Sequence, residues 1–369
     1  MKYIRKLIIL IVLACIIFTC FVFINRNTVN LNDAQALLEE DTCYKYNYEQ
    51  LSDSLKELYA KLYYAFLNRI TTLELHDVSK EDIDQAYKSV MYDHPEIYYV
   101  SKKYHYIDLM NIYEIRITYT YSEDECTSYN QTLSSIVEDI KETTSSYNTI
   151  EKIKYVYDYI VSNTVYKDTS NDQDMISSLI DHQSVCAGYA KAYQYLLSQL
   201  GIEASYMQGE AIEDMNTGDN NGHAWLMLHI LNDYYYSDVT WADVTTADFE
   251  HTCYATFMLT DTQMTSLYTP EDHYESTQKS SFDYYKMIHC YMDGYDESVL
   301  SYALRYTISQ GKDIAEIKCS DQQTYNQLIN TLQTTQTLYA LLYKNGHTYT
   351  KASYVSRDSL KIVEVHFYN

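Results

Sequence analysis

An α+β fold is what this sequence predicts, and three observations predict it. Segments with apolar residues at helical spacing are interspersed with short aromatic and β-branched runs of strand character. Of the 369 residues, 46% are hydrophobic and 15% aromatic. That suffices to bury a core and excludes wholesale disorder. Only 8 Gly and 2 Pro occur, which excludes collagen-like, Pro-rich and Gly/Ser-linker architectures. Tyr is the outlier with 44 residues. Its phenol keeps one end polar, so the chain is aromatic without being greasy.

The elements follow in order along the chain. Met1–Lys6 is short and basic, and Leu7–Ile24 is an uncharged apolar run. As a helix at ~1.5 Å per residue it spans roughly 27 Å, against a hydrocarbon core of ~30 Å. Basic residues before the run favour a cytoplasmic N-terminus with the body exported. Asn25-Arg26-Asn27 follows the run where a signal-peptide site needs small residues, and Ala34-Gln35-Ala36 lies late for that role. Val12-Leu13-Ala14-Cys15 faintly resembles a lipobox, but the apolar run continues well past Cys15. Residues 1–27 therefore read as an uncleaved single-pass anchor in the cell membrane with an extracytoplasmic body. A secreted or lipid-anchored form is the alternative.

Residues 28–45 read as a polar stalk, and 46–125 as an N-terminal α+β region. There, Leu51–Ile70 has helical spacing, and Ser79–Met91 is a second helix opening on a Ser79-Lys80-Glu81-Asp82 cap. His94-Pro95-Glu96 breaks it, and Ile97–Val100, Lys103–Ile107 and Ile112–Tyr121 read as strands. Residues 126–298 form the central domain, with helices at Ser128–Ser145, Ile150–Asn163 and Cys186–Leu200. Gly201 closes the last of these by supplying a left-handed residue. Strands His223–Ile230 and Tyr234–Val239 follow, joined at Asn232-Asp233. Residues 299–369 read as a small C-terminal α+β unit of strand, helix (Gln322–Leu332), strand and strand.

Charge narrows the partners. The chain has 27 Lys+Arg against 51 Asp+Glu, net −24. Lys2, Arg5, Lys6 and Arg26 sit in an opening segment without acids, so the body is more acidic still. Such a surface repels phosphate backbones, and nucleic acid is excluded as a partner. Of the 8 cysteines, Cys15 and Cys20 lie in the apolar run, leaving Cys43, Cys126, Cys186, Cys253, Cys290 and Cys319. No CxxC pair exists, which excludes zinc-ribbon and thioredoxin readings, and the wide spacing is no small disulfide framework. His251-x-Cys253 and His289-Cys290 lack a complementary pair at ligand spacing. No metal and no cofactor are expected.

The rare residues gather in one window. Gly188, Gly201, Gly209, Gly218 and Gly222 are more than half of the 8 glycines, and Trp225 and Trp241 lie just beyond. Backbone that turns tightly or approaches something closely needs glycine. Within the window, Cys186 opens a helix, where the macrodipole favours thiolate over thiol. His223 is the candidate base beside it, and Asp238 the group that fixes the imidazole tautomer, with Asp243 as its rival. A two-residue turn at Asn232-Asp233 puts His223 opposite Ala242 and Asp238 on the same face four residues away. A bulge or a longer loop has to close that offset. Trp225 and Trp241 read as packing, and His229, His182 and His94 as structural or exposed.

Val185-Cys186-Ala187-Gly188-Tyr189-Ala190, Leu200-Gly201-Ile202, His223-Ala224-Trp225 and Asp238-Val239-Thr240-Trp241 together resemble the bacterial transglutaminase-like superfamily. The clear part covers residues 150–245, and Asp93-His94-Pro95-Glu96 resembles the region upstream of the domain in such proteins. Leu226 departs from the Asn that many relatives carry after the His-Ala-Trp motif. The resemblance implies a papain-like α+β domain with a Cys186–His223–Asp238 triad. It further implies thiol-dependent amide chemistry on a protein or peptide, through a thioester on Cys186, as a cysteine hydrolase or acyltransferase. The Cys186 N–H and a side chain would hold the oxyanion: Tyr166 from the family's pattern, or Gln183, close before the nucleophile. The competing expectation is a catalytically silent surface module that keeps the fold.

Overall fold

The computed structural model describes residues 28–108, 112–212, 222–245, 250–277, 279–333, 335–344 and 351–368. The expected membrane segment at residues 1–27 and the glycine at position 218 lie outside the described residues. Among the described residues no helix is long and apolar enough to cross a membrane. The chain divides into two compact units, residues 1–134 and 135–369.

The first unit runs α1 (Leu31–Glu40), α2 (Tyr46–Glu49), α3 (Asp53–Leu67), β1 (Thr72–His76), α4 (Lys80–Asp93), β2 (His105–Asp108) and β3 (Ile112–Arg116), then enters α5 (Glu123–Thr143). The strands form an antiparallel sheet in the order β1-β3-β2. Leu62, Phe66, Leu73, Ile83, Val90 and Ile115 make its core. The stretch expected to be a polar stalk carries α1 instead. Its Ala34 and Leu38, one helical turn apart, are buried in the same core, and Asn30 caps it. Ile97–Val100, expected as a strand, is a turn in which the Ile97 and Val100 amides bond back to His94 and Ile97. The Ser79 cap is a complete capping box with Asp82.

The second unit continues with α6 (Thr149–Asn163), β4 (Val165–Tyr166), α7 (Met175–Leu179), β5 (Gln183–Ser184), α8 (Cys186–Gln199), β6 (Glu203–Ala211), β7 (Gly222–Ile230) and β8 (Asp233–Ser237). Then come β9 (Asp243–Thr245), β10 (Glu250–Thr252), α9 (Asp261–Thr265), β11 (Tyr268–Pro270), α10 (Tyr284–Met287) and β12 (Tyr291–Met292). The chain ends α11 (Glu297–Ser309), β13 (Ile314–Cys319), α12 (Gln322–Gln333), α13 (Thr335–Lys344), β14 (Lys351–Arg357) and β15 (Ile362–Tyr368).

An antiparallel sheet in the order β11-β6-β7-β8 carries α8 against β6 and β7. Alternation gives no sign of β6, because it lies inside the sheet and is buried on both faces over Ala204–Met207. The turn between β7 and β8 is Leu231-Asn232, with φ of 53° and 62°, and Ile230 pairs with Asp233. That is one residue earlier than the sequence reading placed it. Two positive φ values suit the right-handed twist of a two-residue hairpin. A second sheet, β12-β13-β15-β14, closes the unit. It begins at Tyr291, within the region read as central domain, and brings two helices, α11 and α13, that the sequence reading passed over. The six described cysteines are all free thiols.

Candidate active site

The nucleophile candidate is placed by a helix start. α8 is built from Ala, Leu, Gln and Tyr, with Tyr189, Tyr193, Leu196 and Leu197 buried, and Gly201 at φ 71° ends it. Val185 is its N-cap, and the amides of Gly188 and Tyr189 bond the Val185 carbonyl at 3.0 and 3.1 Å. Cys186 is thus the first helical residue, and its own N–H has no carbonyl within the helix to bond. Its side chain is partly exposed. The approach to it is held by Ser184, whose Oγ donates to Asp172 O at 2.9 Å and lies 2.7 Å from Ser177 Oγ. Gly188 fits this packing because a Cβ there would come within 2.0 Å of Ser184 Oγ and 2.7 Å of Asp174 O.

His223 sits near the start of β7, opposite Gly209 of β6. Its Nε2 is 2.7 Å from Asp238 Oδ2, which leaves Nδ1 for the Cys186 sulfur, the other group that acts on the ring. The structure therefore brings Cys186, His223 and Asp238 together. The earlier turn explains how: continued one step, the β7–β8 register sets Trp225 opposite Asp238. His223 then lies two residues from Asp238's partner on the same face, and no bulge is needed. Burial works against a charged imidazole, but the Asp238 carboxylate and the Cys186 sulfur outweigh it and raise His223 to about 10.

Asp238 is held on every side. Its Oδ2 also accepts from Tyr268 OH at 2.6 Å, and its Oδ1 accepts from the Thr240 and Trp241 amides at 2.8 and 3.3 Å. Its backbone amide bonds Thr256 O at 3.0 Å. Tyr268, on β11, is the site residue that sequence reasoning missed; one Tyr among 44 carries no signal. Trp225 and Trp241, read as packing, stack with Tyr268 around the imidazole, their ring centroids 6.2, 4.9 and 5.4 Å from it. Gly209 admits this wall, since a Cβ there would lie 2.2 Å from Thr269 O and 2.9 Å from the Trp225 ring.

The rival acid, Asp243, is engaged elsewhere: its Oδ2 accepts from Tyr189 OH at 2.9 Å. The same hydroxyl donates to Thr164 O at 2.9 Å, which ties the start of β4 to the nucleophile helix. β4 and β5 are parallel, with Tyr166 beside Ser184, so exposed Tyr166 stands next to the approach to Cys186. Gln183 is exposed, and its Oε1 accepts from Lys167 Nζ at 2.9 Å. The groups of metal-ligating side chains found among the described residues lie outside the triad, at Asp41–Cys43–His94 and Cys253–Glu316–Glu364.

Comparison with known proteins bears on the same stretch. Residues 134–246 match the transglutaminase-like superfamily. Among solved structures, a candidate cysteine protease from Cytophaga hutchinsonii is 14% identical over 41% of this chain and 65% of its own, with a TM-score of 0.27. A TGase is 11% identical over 46% and 51% of the two chains, with a TM-score of 0.27. The periplasmic domain of TgpA from Pseudomonas aeruginosa is 17% identical over 35% and 55%, with a TM-score of 0.25. The chain thus spans less than two thirds of each of these structures. No curated protein matches it. From residue 134 to residue 246, this chain carries a mixed α+β domain of the transglutaminase-like superfamily.

Proposed function

We propose that this protein performs thiol-dependent amide chemistry on a protein or peptide outside the cytoplasm, with Cys186 as nucleophile, His223 as acid and base, and Asp238 as orienter. The carrying observation is the buried His223, 2.7 Å from Asp238 and raised in pKa by Asp238 and by the Cys186 sulfur. The thiolate attacks the amide carbonyl, and the Cys186 N–H, with Tyr166 or Gln183, steadies the oxyanion. The His223 imidazolium gives its proton to the leaving amine as the C–N bond breaks, leaving a thioester and neutral His223. Water, deprotonated by His223, then attacks the thioester carbonyl. The acid product leaves, and the thiolate–imidazolium pair is restored. An amine in place of water gives transamidation; hydrolysis is favoured because water is abundant at an exported site.

Iodoacetamide labelling of Cys186 at pH ~6, followed by mass spectrometry, tests the pair. An ordinary thiol with pKa ~8.5 is under about 1% ionised there. Fast labelling that collapses in His223→Ala is expected; equally slow labelling in both folded proteins would remove the nucleophile from this reading. Export through residues 7–24 is part of the proposal, and protease added to spheroplasts, stripped of any outer envelope, is expected to degrade the body. A body protected until lysis would place it inside.

A further inference from the structure

The motif Asp93-His94-Pro95-Glu96 takes no part in the chemistry above, and the fold accounts for only some of it. Buried Asp93 accepts from the Asn47 amide at 3.0 Å, Asn47 Nδ2 at 2.8 Å, the Tyr48 amide at 2.9 Å and Tyr59 OH at 3.1 Å. It is a structural clamp on α2. His94 is different. Its ring is wholly buried against Tyr63, at 4.4 Å between centroids, and its Nδ1 lies 2.8 Å from Glu96 Oε1. Its Nε2 is buried with no hydrogen-bond partner among the described residues. A buried imidazole nitrogen left in that state calls for an explanation.

The surroundings of that nitrogen supply one. Asp41 Oδ2 lies 3.9 Å from His94 Nε2, and with Cys43 Sγ the ligand atoms all fall within 4.8 Å of one another. Asp41 and Cys43 are partly exposed, so the cluster is reached from solvent. We propose that Asp41, Cys43 and His94 bind a divalent cation of the zinc class, with water as its fourth ligand.

The donor set and its support favour that ion. One imidazole nitrogen, one thiolate and one carboxylate suit zinc, whereas calcium and magnesium take oxygen alone. Zinc bonds of ~2.0 Å to N and O and ~2.3 Å to S set tetrahedral neighbours roughly 3.3–3.7 Å apart, so small side-chain shifts close the site. Glu96 accepting from Nδ1–H fixes the tautomer that turns the Nε2 lone pair on the ion, the carboxylate–histidine support common at such centres. Asp41 is pre-positioned: its Oδ1 accepts from the Cys43 amide at 3.1 Å. Lys45 Nζ donates to Asp41 Oδ2 at 2.9 Å, Asp41 O at 2.7 Å and Cys43 O at 3.0 Å. That ammonium repels a cation, yet the Asp41, Cys43 and Glu96 charges balance Lys45 and one divalent ion. On binding, the Cys43 S–H releases its proton to solvent as the S–metal bond forms, with no change in oxidation state. The other cluster, Cys253–Glu316–Glu364, already holds Arg357 at 2.6 Å from Glu364 and is a poorer candidate.

The test is a Co²⁺ titration of the full chain carrying Cys186→Ala, so that the active-site thiol cannot bind. A thiolate-to-cobalt charge-transfer band and strong tetrahedral visible bands are expected, saturating at one equivalent and displaced by Zn²⁺. Adding Cys43→Ser, at a partly exposed position, should abolish the charge-transfer band. Glu96→Gln should weaken Co²⁺ binding about 10–100-fold, and Cys253→Ser should leave both unchanged. No band, a band that survives Cys43→Ser, or one lost with Cys253→Ser would each overturn the site. In the first case His94 is an imidazolium ion-paired to Asp41.

Discussion

The His223 imidazole is buried and nonetheless charged, because Asp238 and the Cys186 sulfur flank it. Its pKa of about 10 in the folded chain stands above the ordinary ~6.5. Between those values the folded state holds a proton that the unfolded state has lost. The stability this pair contributes is therefore complete below pH ~6.5 and disappears as pH rises through about 10. The urea midpoint of the native chain should fall between pH 7 and 10, and His223→Gln should lack that component. Equal slopes in the two proteins would mean that no such charge pair exists. Tyr268 is a positioning residue in the same cluster. Tyr268→Phe keeps the stacked ring but removes one donor from the buried carboxylate. A loss of roughly 1.5–3 kcal/mol in urea unfolding is expected, the usual worth of a hydrogen bond to a charged group, together with slower Cys186 labelling. Unchanged labelling in a destabilised protein would make Tyr268 merely structural.

At the scale of elements, the nucleophile depends on how closely α8 meets the loop before it. Gly188→Ala puts a Cβ 2.6 Å from Ser177 Oγ as well as against Ser184 and Asp174. One of those contacts is backbone, so the loop must move. A loss of about 1–3 kcal/mol and slower Cys186 labelling are expected, with Ser184→Ala restoring only part, because the Asp174 carbonyl remains. Stability and labelling equal to native would mean that the loop yields freely. This element was readable in the sequence because its signals are local: a helical run, a cysteine at its start and Gly201 at its end. The hairpin carrying His223 and Asp238 was less so. Asn232-Asp233 is the better turn former by composition, but the chain turns at Leu231-Asn232, with Leu231 in a conformation that leucine seldom adopts. That one-residue shift turns an offset of four residues into two. β6 and Tyr268 depend on which strands become neighbours, and single-strand patterns do not encode that.

At the scale of the whole molecule, the C-terminal segment read as a separate unit is wired to the active site within one compact unit. From β13, Glu316 Oε1 accepts from the Tyr254 amide at 3.3 Å, and from β15, Glu364 Oε1 accepts from Cys253 Sγ at 3.5 Å. The Tyr157 hydroxyl bridges this segment to the orienting acid, lying 3.0 Å from Cys253 O and 3.2 Å from Asp238 O. Thr256 Oγ1 also donates to Asp238 O, at 2.8 Å. The backbone of the orienting acid is thus fixed to a segment that the last sheet holds. Arg357, 2.6 Å from Glu364, is that carboxylate's ion-pair partner, and breaking a buried pair from one side typically costs about 3–5 kcal/mol. Arg357→Met should lose that much stability and slow Cys186 labelling, while Arg357→Met with Glu364→Leu should recover part of both, since Glu364 is then gone but Glu316 stays buried without the arginine. Labelling and unfolding indifferent to Arg357→Met would mean that the C-terminal sheet stands apart from the catalytic core, and that residues 135–298 support the triad alone.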